Sequence, residues 1–582
     1  MKPDIDSIRH SLAHLLAAAV LEKFPDTKLG IGPVIENGFY YDFEFSKTLS
    51  PETLPELEKI MKGLIKKGLP FSGKEVIAAA AKKQFAKQPF KLDLIKELTT
   101  NNEQLTTYTT GDIFTDLCRG GHVDNTSEIN PDAFKLTHLA GAYWRGDEKN
   151  PQLTRIYGLA FATKEELDAH LEMLEVARKR DHKVLGPALD LFTFSPLVGA
   201  GLPLWTPKGT LLRDLLDSFV WELRKAAGYE RVDIPHITKK ELYETSGHWE
   251  KFKDELFQIK TREGHTFVMK PMNCPHHTQI YARKQWSYRE LPQRYASTTK
   301  VYRDEQTGEL AGLSRVRAIT QDDAHVFCRP YKFYEEIKII WGIIQKFYST
   351  FGFNKLNVRL SFHDPKSPEK YLGKPEIWKM TEEQLRNIVK NEFGIPAIEA
   401  PGEATFYGPK IDFIANDSLG RQLQLATIQL DMNLPERFDL FCIDELGKKE
   451  RIVMIHAAIM GSIERFLSVL IEHTGGAFPL WLSPVQARVL AISDKFQSYA
   501  EVVLEKLLSF GLRAEIADAN ESLGKRIRKA ELDKVPYVLV VGEREMQSGE
   551  VSVRHYKLGD LKSMPIKDLT DRIEAEIKNK TS

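Results

Sequence analysis

Two small clusters of residues and two isolated arginines carry the chemistry that this sequence offers. In V-M-K-P-M-N-C-P-H-H, 268–277, Cys274 stands two residues ahead of a histidine pair, with a proline on each side. It could be a small buried apolar residue, a nucleophile, half of a disulfide or one ligand of a metal, and residues far away must decide. His10-Ser11-Leu12-Ala13-His14 puts two imidazoles one turn apart on a helix face. Cys118-Arg119-Gly120-Gly121-His122 adds a thiol and a third imidazole. Four nitrogen and sulfur donors could hold zinc, and H-x-x-x-H also arises as a coincidental helix pair. The glutamate of H-E-x-x-H is missing, so a metalloprotease base is not provided. Arg303, in K-V-Y-R-D-E-Q-T-G-E-L-A-G-L-S-R-V-R-A-I-T-Q-D-D-A-H-V-F, and Arg465, in I-H-A-A-I-M-G-S-I-E-R-F, offer permanently charged forks that suit phosphate. Either one alone is ordinarily a surface residue, and no G-x-x-x-x-G-K-[ST] loop accompanies them.

The elements that must position these groups follow from periodicity. Apolar residues at helical spacing in S-I-R-H-S-L-A-H-L-L-A-A-A-V-L-E-K-F predict a helix carrying His10 and His14, followed by strands up to residue 45. Helices are expected over 51–66 and 74–88, and a β-rich stretch over 105–162. The charged pattern over 163–183 predicts a linker helix. Residues 184–483 read as one α+β block with a mostly antiparallel sheet: Arg303 leaves a strand into a charged loop and a returning strand, and Arg465 follows a Gly-Ser helix start. From W-L-S-P-V-Q-A at 481–487, strand and helix patterns alternate β-α-β-α-β, which predicts a small doubly wound C-terminal domain.

Size and composition limit what the chain does. Its 582 residues suggest three or four domains. Hydrophobic residues make up 42% and charged residues 28%, as in globular proteins. The formal net charge is zero, so any nucleic acid must be held by local basic patches. K-R-I-R-K, with Lys525, Arg526, Arg528 and Lys529, is such a patch or a solvated helix face. The four scattered cysteines form no disulfide framework and predict a reducing cytoplasm. No membrane span or secretory signal is expected.

The two arginine stretches together resemble motifs 2 and 3 of class II aminoacyl-tRNA synthetases: Arg303-Asp304-Glu305 with its loop, and Gly461-Ser462-Ile463-Glu464-Arg465. M-N-C-P-H, T-Q-D-D-A-H-V-F, T-F-Y-G-P-K-I-D and V-M-I-H-A-A-I-M-G-S-I-E-R-F, in that order, resemble the bacterial threonyl-tRNA synthetase family over essentially the whole chain. The resemblance implies an α+β multidomain protein. An N-terminal α+β editing domain would span 1–165 and a linker helix 166–184. A class II antiparallel-sheet catalytic core would span 185–483 and an α/β anticodon-binding domain 484–582. It implies ATP-dependent activation of L-threonine to the adenylate, transfer to tRNA(Thr), and hydrolysis of mischarged seryl-tRNA(Thr).

The same resemblance assigns residues. One Zn2+ per chain falls to Cys274, His325 and His456, with His276 and His277 nearby but not ligands, and Mg2+ accompanies ATP. Arg303, Arg465, Gln321 and Lys410 are the catalytic candidates. Arg303 would hold the α-phosphate and Arg465 the γ-phosphate, with Glu305, Arg315, Gln424 and Thr427 also at the nucleotide. Asp323, Tyr407, Gln429 and Ser462 would bind threonine. His10, His14, Lys91, Asp116, Cys118 and His122 would form the editing site, acting without obligatory metal. Asn520, Glu545 and Arg554 would contact anticodon bases. A homodimer would form through motif 1, around 210–235. Two departures stand out. The family's return strand R-V-R-G-F is here Arg315-Val316-Arg317-Ala318-Ile319, and the editing helix starts within ten residues of Met1, so a preceding ubiquitin-like domain is expected to be absent. Two rival readings are a non-catalytic RNA-binding paralogue, against which intact Arg303, Arg465 and metal ligands speak, and a zinc hydrolase, for which a glutamate base is missing.

Overall fold

The computed structural model describes residues 4–101, 103–416 and 421–580. The chain divides into two compact units, Met1–Glu175 and Val176–Ser582.

In the first unit, helix α1 (Ile5–Lys23) is apolar nearly all round, and every residue from Ser11 to Val20 is buried. It lies against Phe39, Tyr41 and Phe43, the inward alternate residues of the strand Gly38–Glu44. That strand belongs to a five-stranded antiparallel sheet with Gln152–Ala160 and Phe134–Tyr143. A second sheet of three strands, Phe71–Glu75, Thr106–Thr110 and Phe114–Leu117, leads directly into Cys118. The expected helix over 74–88 is thereby shortened. Phe71–Glu75 pairs as a strand, and the helix begins only at Ala78. Gly73 explains the pairing: a Cβ there would stand 2.6 Å from the Tyr108 ring on the neighbouring strand.

The second unit follows from helix α2 (Lys164–Arg180), within which the division between units falls, and the short helix α3 (His182–Ala188). The long amphipathic helix α4 (Pro207–Ala226) is started by Thr206, whose hydroxyl accepts the Gly209 N–H. Five strands then build the centre of a sheet: β1 (Gln293–Tyr302), β2 (Ala318–Cys328), β3 (Lys410–Asn416), β4 (Gln422–Asp431) and β5 (Val453–Ala458). Helix α5 (Ile463–Thr474) follows, capped by the Ser462 hydroxyl, which accepts the Arg465 N–H. The sheet has eight strands in the order Glu230–Arg231, β1, β2, β5, β4, β3, Leu356–Phe362, Ala397–Pro401. It is antiparallel except at its two outer pairs.

Alternation along these strands sorts apolar from chemical residues. Ala324 and Val326 of β2, Ile455 and Ala457 of β5, Ile428 and Leu430 of β4, and Ile411 and Phe413 of β3 join the core formed with α4, α5 and the helix Phe333–Thr350. The intervening residues, Gln321, Asp323 and His325, Thr427, Gln429 and Asp431, Lys410 and Asp412, and His456, are thereby set on the opposite face. One polar residue breaks the apolar side. Asp322 is fully buried, and Arg224 of α4 meets it at 2.5 Å.

The C-terminal part of this unit shows the expected alternation, with parallel strands Ala514–Ala517, Ala487–Ala491 and Tyr537–Val541. An antiparallel hairpin, Glu550–His555 and Gly559–Pro565, extends the sheet beyond that expectation. Within K-R-I-R-K, Arg526 is not available to phosphate. It is buried, and its guanidinium donates to the carbonyls of Glu521 and Ala491.

Replacing Arg224 by Met would leave the Asp322 carboxylate buried and unpaired, a cost of about 3–5 kcal/mol. The expected outcome is a clear fall in the urea midpoint followed by circular dichroism; an unchanged midpoint would mean that the pair is dispensable.

Candidate functional sites

The register of the central sheet brings distant residues together. His325 of β2 pairs with His456 of β5, which pairs with Gln429 of β4, which pairs with Lys410 of β3. Cys274 reaches the same place from the start of a helix, Cys274–Ala282, that opens with proline in its first turn. Cys274, His325 and His456 each bring a donor atom to within 4.8 Å of the others, and all three are buried. His325 Nε2 and His456 Nδ1 stand 3.1 Å apart. Two nitrogens bound to one tetrahedral zinc would stand roughly 3.3 Å apart.

The outward nitrogens are also occupied. His456 Nε2 donates to Asp431 Oδ2 at 2.9 Å, which leaves the Nδ1 lone pair facing the cluster. His325 Nδ1 lies 2.8 Å from His277 Nδ1, and His277 Nε2 lies 3.2 Å from Ser297 Oγ. Burial holds His325 neutral and pushes the Cys274 thiol well above its usual range, so a thiolate there calls for a cation. The donor set and its supports therefore fit a metal ion.

Around this group, Asp323 is 5% exposed and accepts from Asn273 Nδ2 at 3.1 Å. Burial pushes its carboxyl up to about 6. Tyr407 donates its hydroxyl to Gln429 at 2.5 Å. Gln321 bridges to Ser462 across the motif 2 and motif 3 elements and keeps a buried, unpartnered carbonyl oxygen. A cleft of about 480 Å³ opens beside Arg303 and Tyr407, lined also by His248, Phe252, Met272 and Phe406.

The cationic and polar candidates fall into two sets. Arg303 and Arg465 have no carboxylate partner among the described residues; Arg303 reaches only Met272 Sδ, at 3.4 Å. Arg315 instead lies 2.6 Å from Glu305 and 3.0 Å from Glu309. Lys410, Gln424 and Thr427 all converge on Asp412, a fully buried carboxylate, at 3.2, 2.7 and 3.0 Å. Asp412, Asp431, Asn273 and His248 were not foreseen from the sequence. The signal for the first two is their place on β3 and β4, in phase with Lys410 and Gln429.

In the first unit, His10 and His14 of α1 meet Cys118 and His122 from the loop that follows the three-stranded sheet. All four donors lie within 4.8 Å. Cys118 Sγ is 3.2 Å from His122 Nε2 and 3.5 Å from His10 Nε2. Gly120 and Gly121, both at positive φ, turn the chain between them. Burial drives the His122 imidazole down to about 2, holds His14 well below its usual range and raises the Cys118 thiol to about 11. All four groups are uncharged near neutral pH. Lys91 and Asp116 form a buried pair at 2.6 Å, and Tyr41, also unforeseen, donates to Asp116 at 2.5 Å.

In the C-terminal part, Asn520 is exposed in a turn beyond Ala514–Ala517. Glu545 accepts the Gly542 N–H and so caps a short helix. Arg554 is exposed on Glu550–His555, 4.0 Å from Glu531. No bond links these three among the described residues.

Comparison with known proteins agrees with this geometry. Residues 257–474 match the tRNA synthetase class II core domain (G, H, P, S and T), 486–576 the anticodon binding domain, and 105–157 the threonyl and alanyl tRNA synthetase second additional domain. A threonine–tRNA ligase of Porphyromonas gingivalis is 48% identical over 574 residues, covering 98% of this chain and 87% of that protein. One from Thermus thermophilus is 48% identical over 577 residues, covering 96% and 86%. A crystal structure described as the RNA binding domain of threonyl-tRNA synthetase from Cryptosporidium parvum is 36% identical. It matches with a TM-score of 0.65 over 68% of this chain and 98% of that one. The chain belongs to the threonine–tRNA ligase family of class II aminoacyl-tRNA synthetases.

Proposed function

We propose that the polar face of the eight-stranded sheet activates L-threonine with ATP, and that Cys274, His325 and His456 hold one Zn2+ there. The observation that carries this reading is the buried donor set, whose imidazoles are turned inward by Asp431 and His277. When bound, zinc would supply a Lewis-acid anchor for the amino and hydroxyl groups of threonine, and a site that engages the hydroxyl rejects valine by about 10⁴–10⁵. Asp323, steadied by Asn273, receives the substrate ammonium. Tyr407, Gln429 and Ser462 frame the amino acid.

The reaction is in-line. A threonine carboxylate oxygen attacks the α-phosphorus of ATP, the bond to the bridging oxygen breaks, and pyrophosphate leaves. The protein contributes positioning and charge neutralisation. Arg303 at the α-phosphate and Arg465 at the γ-phosphate do this, and their lack of carboxylate partners among the described residues supports the assignment. Mg2+ accompanies the phosphates. Gln321 and Lys410 attend the reacting groups, while Glu305, Arg315, Gln424 and Thr427 line the adenosine. Transfer to tRNA(Thr) follows, with Asn520, Glu545 and Arg554 at the anticodon.

Serine shares the amine and the hydroxyl and lacks one methyl, which separates the two by only about 1–3 kcal/mol. A second, hydrolytic site is therefore needed, and His10, His14, Cys118 and His122 provide it. Neutral imidazoles there accept a proton from water as it attacks the seryl ester carbonyl, and the proton passes to the departing ribose oxygen. Lys91 and Asp116 hold the surrounding shell. The exposed apolar residues Leu197, Val198 and Leu204 ahead of α4 support a homodimer through motif 1. The protein works in the cytoplasm; among the described residues no helix is long and apolar enough to cross a membrane.

Cys274→Ser should lose zinc and lower threonine-dependent ATP–pyrophosphate exchange by about two orders of magnitude or more. Undiminished exchange would overturn the zinc assignment. Asp431→Asn should weaken zinc binding by about 10–100-fold in a chelator competition. His10→Ala combined with His14→Ala should leave threonine charging intact and raise seryl-tRNA(Thr); without that rise the editing assignment fails.

A further inference from the structure

Reading 163–183 as a linker helix leaves His182 without a role, yet it is 4% exposed and bonded on both sides of its ring. Its Nδ1 lies 2.6 Å from Glu472 Oε1 on α5, and its backbone N–H donates to the same oxygen at 3.1 Å. Its Nε2 accepts the backbone N–H of Leu313 at 3.0 Å. Asp181, His182 and Glu472 lie close enough together to be taken for metal ligands, but both ring nitrogens are already used. Burial works against the Glu472 carboxylate. Hydrogen bonds from His182 and Arg421 outweigh burial and hold its pKa down to about 2. An ionised Glu472 makes Nδ1 the proton-bearing nitrogen and leaves the Nε2 lone pair to Leu313.

Leu313 is fully buried at the turn of the motif 2 loop. Ser314 N–H donates to Ala311 O at 2.9 Å, and Ala311 N–H donates to Arg315 O at 3.1 Å. Ser314 Oγ lies 3.0 Å from Ser468 Oγ of α5. Gly312 has φ +54°, and a Cβ there would stand 2.4 Å from His182 Nε2. The turn is therefore shaped to lie directly on this imidazole. Arg315, the next residue after the turn, carries the contact to Glu305.

We infer that His182 is a positioning residue for ATP: it ties the turn of the motif 2 loop to the motif 3 helix and so holds Arg315 and Glu305 in register with Arg465. The inference rests on reading Arg315 and Glu305 as nucleotide contacts. Motif 2 and motif 3 bind the same nucleotide from different segments, and His182 touches both segments without reaching the reacting atoms.

The test is ATP–pyrophosphate exchange on the full chain, with KM measured separately for ATP and for threonine. His182→Asn keeps a donor toward Glu472 and gives up the Leu313 acceptor. His182→Gln places an oxygen near the position of Nε2 and keeps that acceptor, while the backbone N–H of residue 182 still donates to Glu472 and keeps the tie to α5. H182N should raise the KM for ATP by about tenfold, the size of one lost hydrogen bond, and leave the KM for threonine within about twofold. H182Q should stay close to the unaltered protein. Gly312→Ala displaces the turn from the loop side and should reproduce the ATP-specific effect, so the inference remains testable if H182N fails to fold. Equal rises in H182N and H182Q, parallel rises in both KM values, or an unchanged ATP KM in G312A would each overturn the inference. An unchanged ATP KM in Arg315→Ala would instead overturn the nucleotide reading beneath it.

Discussion

One buried ion pair locks the catalytic unit together. Arg224, at the end of α4, pairs with Asp322 at 2.5 Å and donates to the carbonyl of Ala457. Asp322 in turn accepts the N–H groups of Ile459 and Met460, each at 2.9 Å. These are the residues between β5 and the cap of α5. A single carboxylate thus joins the long helix, the strand bearing Asp323 and His325, and the turn that aims Ser462 and Arg465. Taking such a pair out of water is costly, and here the charge of the guanidinium faces one carboxylate oxygen while two amides donate to the other. The chemistry on the polar face relies on this clamp on the apolar face.

A second carboxylate, Glu464, makes the same connection two residues earlier on the strand. It accepts from both the N–H and the hydroxyl of Thr320, each at 2.7 Å. Asp412 gathers Lys410, Gln424, Thr427 and Ser361 on the other half of the sheet. In each case a buried acid holds cationic and polar neighbours in place. Among the described residues Arg303 and Arg465 lack such partners, in keeping with the phosphate contacts proposed for them.

Much of this was legible in the residues, for identifiable reasons. The helix of His10 and His14 follows from its apolar spacing, and the strand–loop–strand of 300–327 from its composition. The alternating pattern after residue 484 pointed to parallel strands. The final hairpin was missed because its strands, E-V-S-V-R-H and G-D-L-K-S-M-P, are short and the second is largely open to solvent. Lys74 and Glu75, the end of the strand Phe71–Glu75, were taken into a helix because pairing with Thr106–Thr110 is a long-range event that local periodicity does not report. Cys274, His325 and His456 could be named only through family resemblance, since their separations carry no metal signature. What joins the two histidines is sheet register, which two-residue alternation constrains but does not specify, and Cys274 meets them from a helix start. Arg526 misled for the converse reason: a basic run looks solvated until one knows that the backbone carbonyls of Glu521 and Ala491 are waiting for it.

The uncharged cluster of the first unit has a consequence of its own. Binding a polyanion such as tRNA is governed by ions in solution, because every phosphate contact displaces counterions. A pocket whose histidines and cysteine are stripped of charge by burial responds little to that atmosphere. With the editing role proposed for this pocket, capture of the nucleic acid and cleavage of its ester are decoupled in their response to salt. A cell whose ionic strength drifts would alter how often the wrong product is presented, while the intrinsic speed of its removal would hold.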